Sequence, residues 1–561
     1  MGPIRTWDIE TTTTTSFKRK ANPFDSRNWV VTHGVKGRGE AAIEYRFGHQ
    51  RPGPGWFKPV LEGCALLIGQ NIKFDLLHAL QDAENLEAWM AYISNGGRIW
   101  DIQLAEYLLN GMDEAEHMLS LDEIAPRYGG EVKVDEVKIL WKAGVGTEDI
   151  EPALLSRYLI GDGTHPGDVG NTELVALAQI KRAHACGQLE SIKLNMGALV
   201  CSIELERNGM YVDKPRGLEL AAELAAKIVE ARATLESFLP EDLPFQFNWN
   251  SRFHKSTLIF GGTVQYDAPS YDCGENGRSW EPHQPGQVYV QTEVIGCWPI
   301  TDANGQPLKA LGSEVLAGGL IPLERAEKLN YHVERYASGK NKGEIKTKRI
   351  KVNDLTKPKS RIARRPFTFA GYTKPEKKWE SSEPGVYSTA NDVIEELAVR
   401  DIPFLKAFTS LTAMTKDLGT YYITTDEEGV QKGMLTLVDA LGILHHKIHH
   451  TSTVTGRLSA SDANLQNLPK GDKSDVKTVF KSRFGGKIIQ SDFSSLEVYV
   501  QAILTMCPRL IKDLRAGLDM HVQRLSASPT GDGKSYEELL RLCKGYTAAD
   551  GTKVPPVKEW D

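Results

Sequence analysis

The sequence predicts an α/β unit with a mixed sheet at its start, then a helical section, then an α+β section. Three observations predict this order. Strand-like segments precede helical periodicity over residues 1–190, long helical periods begin near Ile192, and apolar strand-like runs return after residue 440. At about 150 residues per domain, the chain is also too long for one compact core.

The first 190 residues carry the elements of the predicted α/β unit. Alternating apolar residues favour strands at 6–9, 29–32, 42–47 and 66–68, and glycines predict a turn at 34–39. Apolar residues at helical spacing predict helices near 74–80, 102–109, 119–128, 154–160 and 171–185. We therefore expect helices to cover a mixed sheet in residues 1–190.

Two long helices, expected to be antiparallel, follow in residues 191–261. The first ends at the helix-stop pair Asn208-Gly209, and Asp213 opens the second. Residues 262–382 are rich in Gly, Pro, Tyr and Lys, which predicts an irregular basic insertion with short strands at best. Helices near 390–400 and 403–418 and strands near 443–448 and 487–490 define a section over 383–508, and residues 509–561 complete the chain.

The composition is that of a globular protein and argues against several other classes. Hydrophobic residues make up 41% of the chain, yet no run of about 18 apolar residues occurs, which argues against membrane spans. The first ten residues include Arg5, Asp8 and Glu10 and do not resemble a secretion signal. Seven scattered cysteines without a CxxC pair indicate neither disulfides nor a zinc cluster, so we expect a reducing, cytoplasmic location.

The net charge of −6 is unevenly distributed. Residues 340–380 contain fourteen Lys or Arg against four acidic residues, a local excess of ten positive charges. Such a segment can follow the phosphates of a duplex or bind a processivity partner, and a solvated, flexible loop explains the charge equally well.

Acidic residues in separate elements form the first candidate site. Asp8 and Glu10 lie two apart on a predicted strand, so both carboxylates point to the same face. Asn71 and Asp75 lie one helical turn apart where a strand meets a helix, and a third acidic group comes from residues 158–172. Converging carboxylates can hold two Mg²⁺ ions about 4 Å apart for phosphoryl transfer to water.

These segments resemble, in order and spacing, the three motifs of DEDD 3′–5′ exonucleases, specifically the proofreading domain of family A DNA polymerases. The resemblance implies a ribonuclease H-like exonuclease domain over residues 1–190. It also implies that Asp8, Glu10 and Asp75 are catalytic Mg²⁺ ligands and that Asn71 contacts DNA.

The third motif leaves two interpretations open. In the family, a Tyr precedes the last Asp by four residues, and a Thr follows that Asp by four. Tyr158 with Asp162 fits the first half of this pattern, whereas Asp168 with Thr172 fits the second. Two glycines and a proline between residues 163 and 167 would break a helix past Asp162, which favours Asp168 as the ligand. Tyr158 and His165 are both candidates to orient the attacking water.

The polar segment Thr455–Pro469 is the second candidate site. It is rich in amide and guanidinium donors, which suit the acceptor edges of a duplex minor groove and the neighbouring phosphates. It closely resembles the template-primer binding motif of family A DNA polymerases. The resemblance implies DNA contacts by four side chains, those of Arg457, Asn464, Gln466 and Asn467.

The predicted strand 487–490 ends at Asp492, and this stretch resembles the first palm motif of the same family. The resemblance implies that Asp492 is a catalytic Mg²⁺ ligand, that Phe493 and Glu497 contact the nucleotide, and that Lys477 lies near its triphosphate. The chain as a whole resembles the N-terminal two-thirds or more of a phage-type replicative DNA polymerase.

Residues 543–561 have no counterpart of the family's fingers helix or of its second palm carboxylate. We therefore expect a helical thumb over residues 191–261, an incomplete α+β palm over 383–508 and a truncated start of the fingers over 509–561. A separately encoded or spliced piece would complete them. A truncated reading frame explains the ending equally well. The implied ligands are single-stranded 3′ DNA ends, primer-template duplex, Mg²⁺ and, once the site is complete, dNTP, with no membrane partner.

Two other functions stay open at this point. One is a stand-alone exonuclease that resembles RNA-trimming enzymes and carries a nucleic-acid-binding module. The other is a DNA-binding assembly subunit without activity. Four histidines at 445, 446, 449 and 450 suggest a metal site, but their place on a predicted strand pair favours structural or DNA-facing roles.

Overall fold

The computed structural model describes residues 3–131, 135–274, 279–281, 286–297, 335–344, 346–397, 400, 402–426, 428–469, 474–548 and 552–557. The chain divides into two compact units, Met1–Val479 and Phe480–Asp561. Within the described ranges, every helix is too short or too polar to cross a bilayer.

A five-stranded mixed sheet forms the N-terminal core, as the sequence predicts. Its strands are β1 Ile4–Thr11, β2 Val30–Gly37, β3 Ile43–Arg46, β4 Leu66–Gly69 and β5 Arg98–Asp101. The strand order is β3-β2-β1-β4-β5. The pairs β1–β2 and β2–β3 are antiparallel, whereas β1–β4 and β4–β5 are parallel. The central strand β1 therefore has a neighbour on each side.

Helices pack against this sheet and bury its apolar side chains. They are α1 Lys58–Leu61, α2 Ile72–Ala79, α3 Ala83–Ser94, α4 Ile102–Leu109, α5 Leu121–Ile124, α6 Asp135–Lys142, α7 Pro152–Ile160, α8 Gly167–Ala185 and α9 Leu189–Asn208. The core includes the fully buried Trp7, Ile68, Leu76 and Tyr107. The predicted helices of residues 1–190 are confirmed, with shifted ends.

The helix α9 differs from its predicted place. Four of its residues, Ile192, Met196, Leu199 and Ile203, lie in the same core as the sheet. Their spacing gives α9 one apolar face, and that face packs on β5, α2 and α8. The first helix of the section predicted to begin at residue 191 therefore packs in the N-terminal core.

The turn predicted at residues 34–39 does not include Gly34. Gly34 lies inside β2, directly opposite Asp8 of β1. A Cβ atom there would lie 2.8 Å from Cγ2 of Ile160 and 2.9 Å from Cγ2 of Val169. A glycine in the strand is needed because α7 and α8 approach its backbone closely.

Residues 209–479 form the rest of the first unit. Its elements are β6 Met210–Tyr211, α10 Lys214–Glu236, α11 Arg252–Phe260, β7 Gly262–Cys273, β8 Ser279–Glu281, β9 Tyr289–Cys297, β10 Thr347–Pro358, β11 Ser360–Phe369, α12 Asn391–Leu397, α13 Leu405–Tyr421, β12 Thr424–Thr425, β13 Gln431–Lys432, β14 Ile443–Leu444, β15 Lys447–His449 and β16 Ser459–Ser461. Helices α10 to α13 share a second hydrophobic core with β7 and β11. The long helix α10 packs on α13 rather than forming the predicted pair within residues 191–261.

The prediction of short strands at best in residues 262–382 is wrong. β7 and β11 pair antiparallel over ten residue pairs, from Gly262–Phe369 to Tyr271–Ser360. β9 and β10 form a second long antiparallel pair. The partners of β7 and β11 lie 89 to 107 positions apart in the chain, so local periodicity carries no information on their register.

The second unit is helical and contains a short strand pair. Its elements are α14 Leu496–Thr505, α15 Pro508–Arg515, α16 Met520–Ser526, α17 Tyr536–Lys544, β17 Tyr546–Thr547 and β18 Lys553–Val554. The predicted strand at 487–490 is absent: these residues have no regular structure, and Ile489 is 89% exposed. A strand needs a paired neighbour for its backbone groups, and the paired strands in the described part of this unit are β17 and β18.

Replacing Gly34 with valine should lower the free energy of unfolding by about 1–3 kcal/mol, because the new side chain would overpack the contact with α7 and α8. A urea denaturation midpoint measures this loss. Gly53→Val is the matched control, since a Cβ at Gly53 meets no heavy atom within 4 Å. Equal midpoints for the two variants would contradict the close approach at Gly34.

Candidate functional site

Three of the predicted acidic residues lie together at the sheet. Asp8, Glu10 and Asp168 each offer one carboxylate oxygen, and these oxygens lie within 4.8 Å of one another. Asp168 is buried, and the other two are half-buried. Because an octahedral Mg²⁺ ion holds its oxygen ligands at about 2.1 Å, oxygens at this separation fit one ion after small side-chain adjustments. The donor set, carboxylate oxygen throughout, is the one that Mg²⁺ prefers.

The start of α8 places Asp168 in this group. The helix begins at Gly167, and Asp168 lies in its first turn. Gly161 and Gly167 have φ values of +81° and +64°, and a side chain at either would collide with the loop backbone. These glycines let residues 161–167 close into a compact loop, so α8 can start beside β1.

Asp162 takes no part in the group and stabilises the loop instead. Its Oδ1 accepts hydrogen bonds from the Thr164 and His165 backbone N–H groups, each at 2.8 Å. Its Oδ2 lies 3.0 Å from Nε of Arg157. The Thr164 hydroxyl and the backbone donors lower the pKa of Asp162 to about 2. The glycines and the proline of this loop were the sequence signal that favoured Asp168.

The two candidates for orienting water lie at different places. Tyr158 is buried on α7, with its ring edge-on to Trp141 at a centroid distance of 5.6 Å. It belongs to a small hydrophobic cluster that includes Val31. His165 lies in the loop before α8, where its Nδ1 accepts a hydrogen bond of 3.2 Å from the Gly167 N–H. His165 therefore lies closer in the sequence than Tyr158 to the start of α8, the helix that carries Asp168.

Asp75 is buried on α2, which packs against β1, but it is not a member of the group of three. Asn71 precedes α2 with a left-handed φ of 50°. Asp101 holds the start of this helix, because its Oδ2 accepts from the Ile72 N–H at 2.7 Å and its Oδ1 accepts from the Leu104 N–H at 2.9 Å. One buried carboxylate therefore caps both α2 and α4. Burial raises the pKa of Asp101.

A buried ion network connects α2 to the later hairpin, and no sequence motif marks it. Glu206 on α9 accepts from Nη2 of Arg19 at 2.9 Å and from Nζ of Lys73 at 2.5 Å. It also accepts from the Ile448 N–H at 2.7 Å, while Lys73 donates to the Ile448 carbonyl. Burial would raise the pKa of Glu206, but the charges of Lys73 and Arg19 outweigh burial and hold the pKa below its usual value.

A cavity of about 250 Å³ lies beside α2 and this network. Phe74, Leu104 and Leu199 supply apolar walls, and Asn71 and Gln103 supply amides. Four cationic side chains, those of Arg19, Lys20, Lys73 and Lys447, also line the cavity, together with the carboxylates of Asp101 and Glu206 and the rings of His449 and His450. An apolar wall with amides and cations suits a nucleotide unit, whose base is flat and whose phosphate is anionic.

The predicted template-primer segment begins in the hairpin of β15 and β16. Arg457, Gln466 and Asn467 are exposed. Asn464 caps a short turn of helix by accepting from the Gln466 N–H at 3.1 Å, and Nε2 of Gln466 donates to the Leu458 carbonyl at 3.1 Å. The Asn467 carbonyl accepts from the Tyr421 hydroxyl. These contacts order the segment and leave its donors at the surface.

Three of the four histidines near this hairpin, His445, His449 and His450, have structural contacts. His445 stacks on Phe24 at 3.7 Å, and Nε2 of His450 lies 2.8 Å from the Ser202 hydroxyl. His449 contacts the Ser461 hydroxyl at 2.8 Å. Burial lowers the pKa of His450 to about 4, so this ring is neutral at pH 7. Among the described residues, none of these rings joins a metal-type group of three.

The predicted nucleotide contacts are divided between the two units. Lys477 is exposed in the first unit. In the second, Asp492 is exposed, accepts from the Phe493 N–H at 2.8 Å and belongs to no metal-type group of three within the described ranges. Phe493 is 77% exposed, and Glu497 lies in the first turn of α14.

Comparison with known proteins identifies the later part of the chain. Residues 365–531 match the model of DNA polymerase family A. This segment is related to family A DNA polymerases. The polymerase-related segment, as we call residues 365–531, contains Thr455–Pro469 and Asp492, whereas the carboxylate group lies before it.

Curated relatives carry the same description. The chain is 31% identical to DNA polymerase I of Rhizobium leguminosarum over 155 residues, which is 26% of this chain and 14% of that protein. It is 33% identical to DNA polymerase I of Pseudomonas aeruginosa over 139 residues, 24% of this chain and 14% of that protein. The chain thus spans about a seventh of the length of these relatives.

A solved structure extends the likeness to most of the fold. The POL domain of Pol1 from M. smegmatis, in complex with DNA primer-template and dNTP, aligns with 94% of this chain and 64% of its own at a TM-score of 0.51. The sequence identity is 15%, so this likeness concerns the fold alone. The mixed α/β chain is polymerase-like in fold.

Mg²⁺ should raise the melting temperature of the wild-type protein, because a ligand that binds only the folded state stabilises it by about 2.7 kcal/mol at 100 times its Kd. Asp168→Asn should abolish this shift and should raise the melting temperature in EDTA, since it removes repulsion among three clustered carboxylates. Calorimetry in EDTA and in Mg²⁺ measures both. Asp162→Asn is the control and should keep the Mg²⁺ shift. A full shift in Asp168→Asn would contradict the site.

Proposed function

We propose that this protein is a Mg²⁺-dependent 3′–5′ exonuclease that acts on DNA and is joined to a family A DNA polymerase segment. The single observation that carries the nuclease proposal is the group formed by Asp8, Glu10 and Asp168, whose oxygens lie within 4.8 Å of one another. The mixed five-stranded sheet, with two of these residues on its central strand, supports a ribonuclease H-like domain.

In this proposal Asp8, Glu10 and Asp168 hold the metal, and Asp75 on the neighbouring helix completes the set. When bound, Mg²⁺ supplies an activated water and stabilises the departing oxygen of the phosphodiester. The rigid strand β1 keeps two carboxylates on one face, and Gly34 permits α8 to bring the third. We assign Asp162 to the loop, and His165 or Tyr158 to orienting the water.

The cavity beside α2 would receive the 3′-terminal part of a single strand. Asn71 lies at its lining and precedes Asp75 by one helical turn. Lys20 and Lys447 at the cavity supply positive charge for phosphates, while Phe74 and Leu104 supply surface for a base. A strand held in this way presents its last phosphodiester near the helix that carries Asp75.

The polymerase-related segment would bind primer-template DNA through Arg457, Asn464, Gln466 and Asn467. The family match and the exposure of three of these side chains support this assignment. We further assign Asp492 to Mg²⁺ and Phe493 and Glu497 to the incoming nucleotide. The family match also favours a DNA enzyme over an RNA-trimming nuclease.

Loss of a residue that supports a metal ligand from the outer sphere costs ~10–100-fold in activity. Asp8→Asn removes a proposed direct ligand, so this variant should slow digestion of single-stranded DNA by more than that factor. Gel analysis of a 3′-labelled 20-mer in Mg²⁺ measures the rate. Asp162→Asn is the matched control and should digest at nearly the wild-type rate. Equal rates for Asp8→Asn and wild type, or digestion of structured RNA but not of DNA, would refute the proposal.

Arg457→Ala should weaken binding of a primer-template duplex about 5- to 150-fold, the loss expected when one good base-edge contact of about 1–3 kcal/mol is removed. Fluorescence anisotropy in EDTA measures binding without digestion. Arg400→Ala is the control, because it removes one positive charge at another exposed position of the polymerase-related segment. This variant should bind the duplex like wild type. Equal losses of affinity in the two variants would show that Arg457 contributes only its positive charge and makes no specific contact.

A further inference from the structure

The junction of β10 and β11 exposes a row of cations that the proposed sites do not use. The four residues concerned, which we call the cationic strip, are Lys357, Lys359, Arg361 and Arg364. The side chains of Lys357, Lys359 and Arg364 are 69%, 57% and 82% exposed. Apart from Asp354, residues 347–369 contain no acidic residue, against eight Lys or Arg.

An extended backbone holds the strip in a line. Pro358 pairs with β9, and Ser360 begins the pairing with β7. Between them, the Lys359 N–H donates to the Val288 carbonyl at 2.7 Å, and the Lys359 carbonyl accepts from the Asp272 N–H at 2.9 Å. The strand therefore passes from one partner to the next without a turn. At about 3.3 Å per residue, the seven steps from residue 357 to residue 364 span about 23 Å.

Nearby acidic groups neutralise the strip only in part. Asp354, Asp272 and Asp267 lie 3.5, 3.4 and 3.9 Å from Lys357, Lys359 and Arg364 respectively. The pairs of Lys357 with Asp354 and of Arg364 with Asp267 are at least partly exposed, and such pairs contribute about 0–1 kcal/mol, whereas the carboxylate beside Lys359 is the buried Asp272. A polyanion that meets all four cations at once can compete for them.

We infer that the cationic strip binds the phosphate backbone of duplex DNA. Each phosphate of one DNA strand rises about 3.4 Å along the duplex axis while the strand winds around it, so a straight line of cations about 23 Å long lies beside about seven base pairs of duplex and meets those phosphates that face it. The four cations lie on an edge strand that, in the described residues, pairs on one side only, with β9 and then β7. Side chains of both faces can reach a ligand that lies along such an edge.

The strip lies outside the segment that the family comparison matches. That match begins at residue 365, one position after Arg364. The inference rests on the proposed function insofar as DNA is the polyanion this chain acts on. It adds a contact surface, distinct from the carboxylate group and from Thr455–Pro469, that would enlarge the DNA footprint of the protein.

The experiment measures how DNA binding depends on salt. The probe is a blunt 20-base-pair duplex, titrated by fluorescence anisotropy at several NaCl concentrations in EDTA, so nuclease activity does not enter. Each neutralised phosphate contributes about 0.9 to the magnitude of the slope of log K against log salt. The double variant Lys357→Gln with Arg364→Gln should therefore reduce the magnitude of this slope by up to about 1.8. Adding Lys359→Gln and Arg361→Gln should reduce it by up to about 3.6.

A control variant carries the same loss of four charges elsewhere. It combines substitutions to glutamine at Arg27, Lys58, Lys193 and Lys432, all at least partly exposed. The control should keep the wild-type slope. The double variant changes only highly exposed side chains and so serves as the test if the quadruple variant folds poorly.

Three outcomes would overturn the inference. The first is an unchanged slope in the strip variants, which is expected if these charges only prevent edge-to-edge association of the sheet. The second is an equal change in the control, which would indicate general charge. The third is unchanged DNA binding with lost affinity for poly-glutamate, which would assign the strip to an acidic protein partner. A defective carboxylate site would leave all of these binding measurements unaffected.

Discussion

The close approach of α8 to the central strand β1 is the constraint on which the proposed nuclease site depends. It requires a glycine opposite Asp8, because a Cβ atom at Gly34 would lie 2.9 Å from a methyl group of Val169 on α8. It also requires the two glycines that close the loop before α8. Three carboxylates then lie within 4.8 Å, an arrangement whose repulsion a divalent cation relieves. The tight packing at Gly34 and the grouping of the three carboxylates therefore both follow from the close approach of α8 to β1.

A second interaction connects this core to the hairpin of β15 and β16, which leads into Thr455–Pro469. Glu206 joins Arg19, Lys73 and the backbone of Ile448 in one buried network. Lys73 lies on α2, two residues before Asp75. Removing one member of such a network leaves a buried charge without compensation, which costs about 3–5 kcal/mol. The network thus fixes the helix that carries Asp75 against the strand that leads to Thr455–Pro469.

The strands β7 to β11 form two small sheets in the first unit, in addition to its five-stranded N-terminal sheet. Aromatic residues at one end of β11, Phe367 and Phe369, pack against the second core, whereas the other end presents cations. One strand therefore serves both as an anchor and as a charged edge. Its charge was visible in the sequence, but its regular structure was not.

Local patterns in the sequence predicted four of the five strands β1–β5 and five of the eight helices α1–α8, because periods of 2 and 3.6 residues reflect which side chains become buried, but they missed β5, α1, α3 and α6. They also favoured Asp168 over Asp162, since proline and glycine end a helix wherever they occur. Only the tertiary structure decided what depends on distant pairing. The ladder of β7 and β11, the place of α9 in the first core and the partners of Glu206 join residues tens to hundreds of positions apart. Their contacts follow from the closing of long loops and the fit of packed surfaces, and no short window of the chain encodes either.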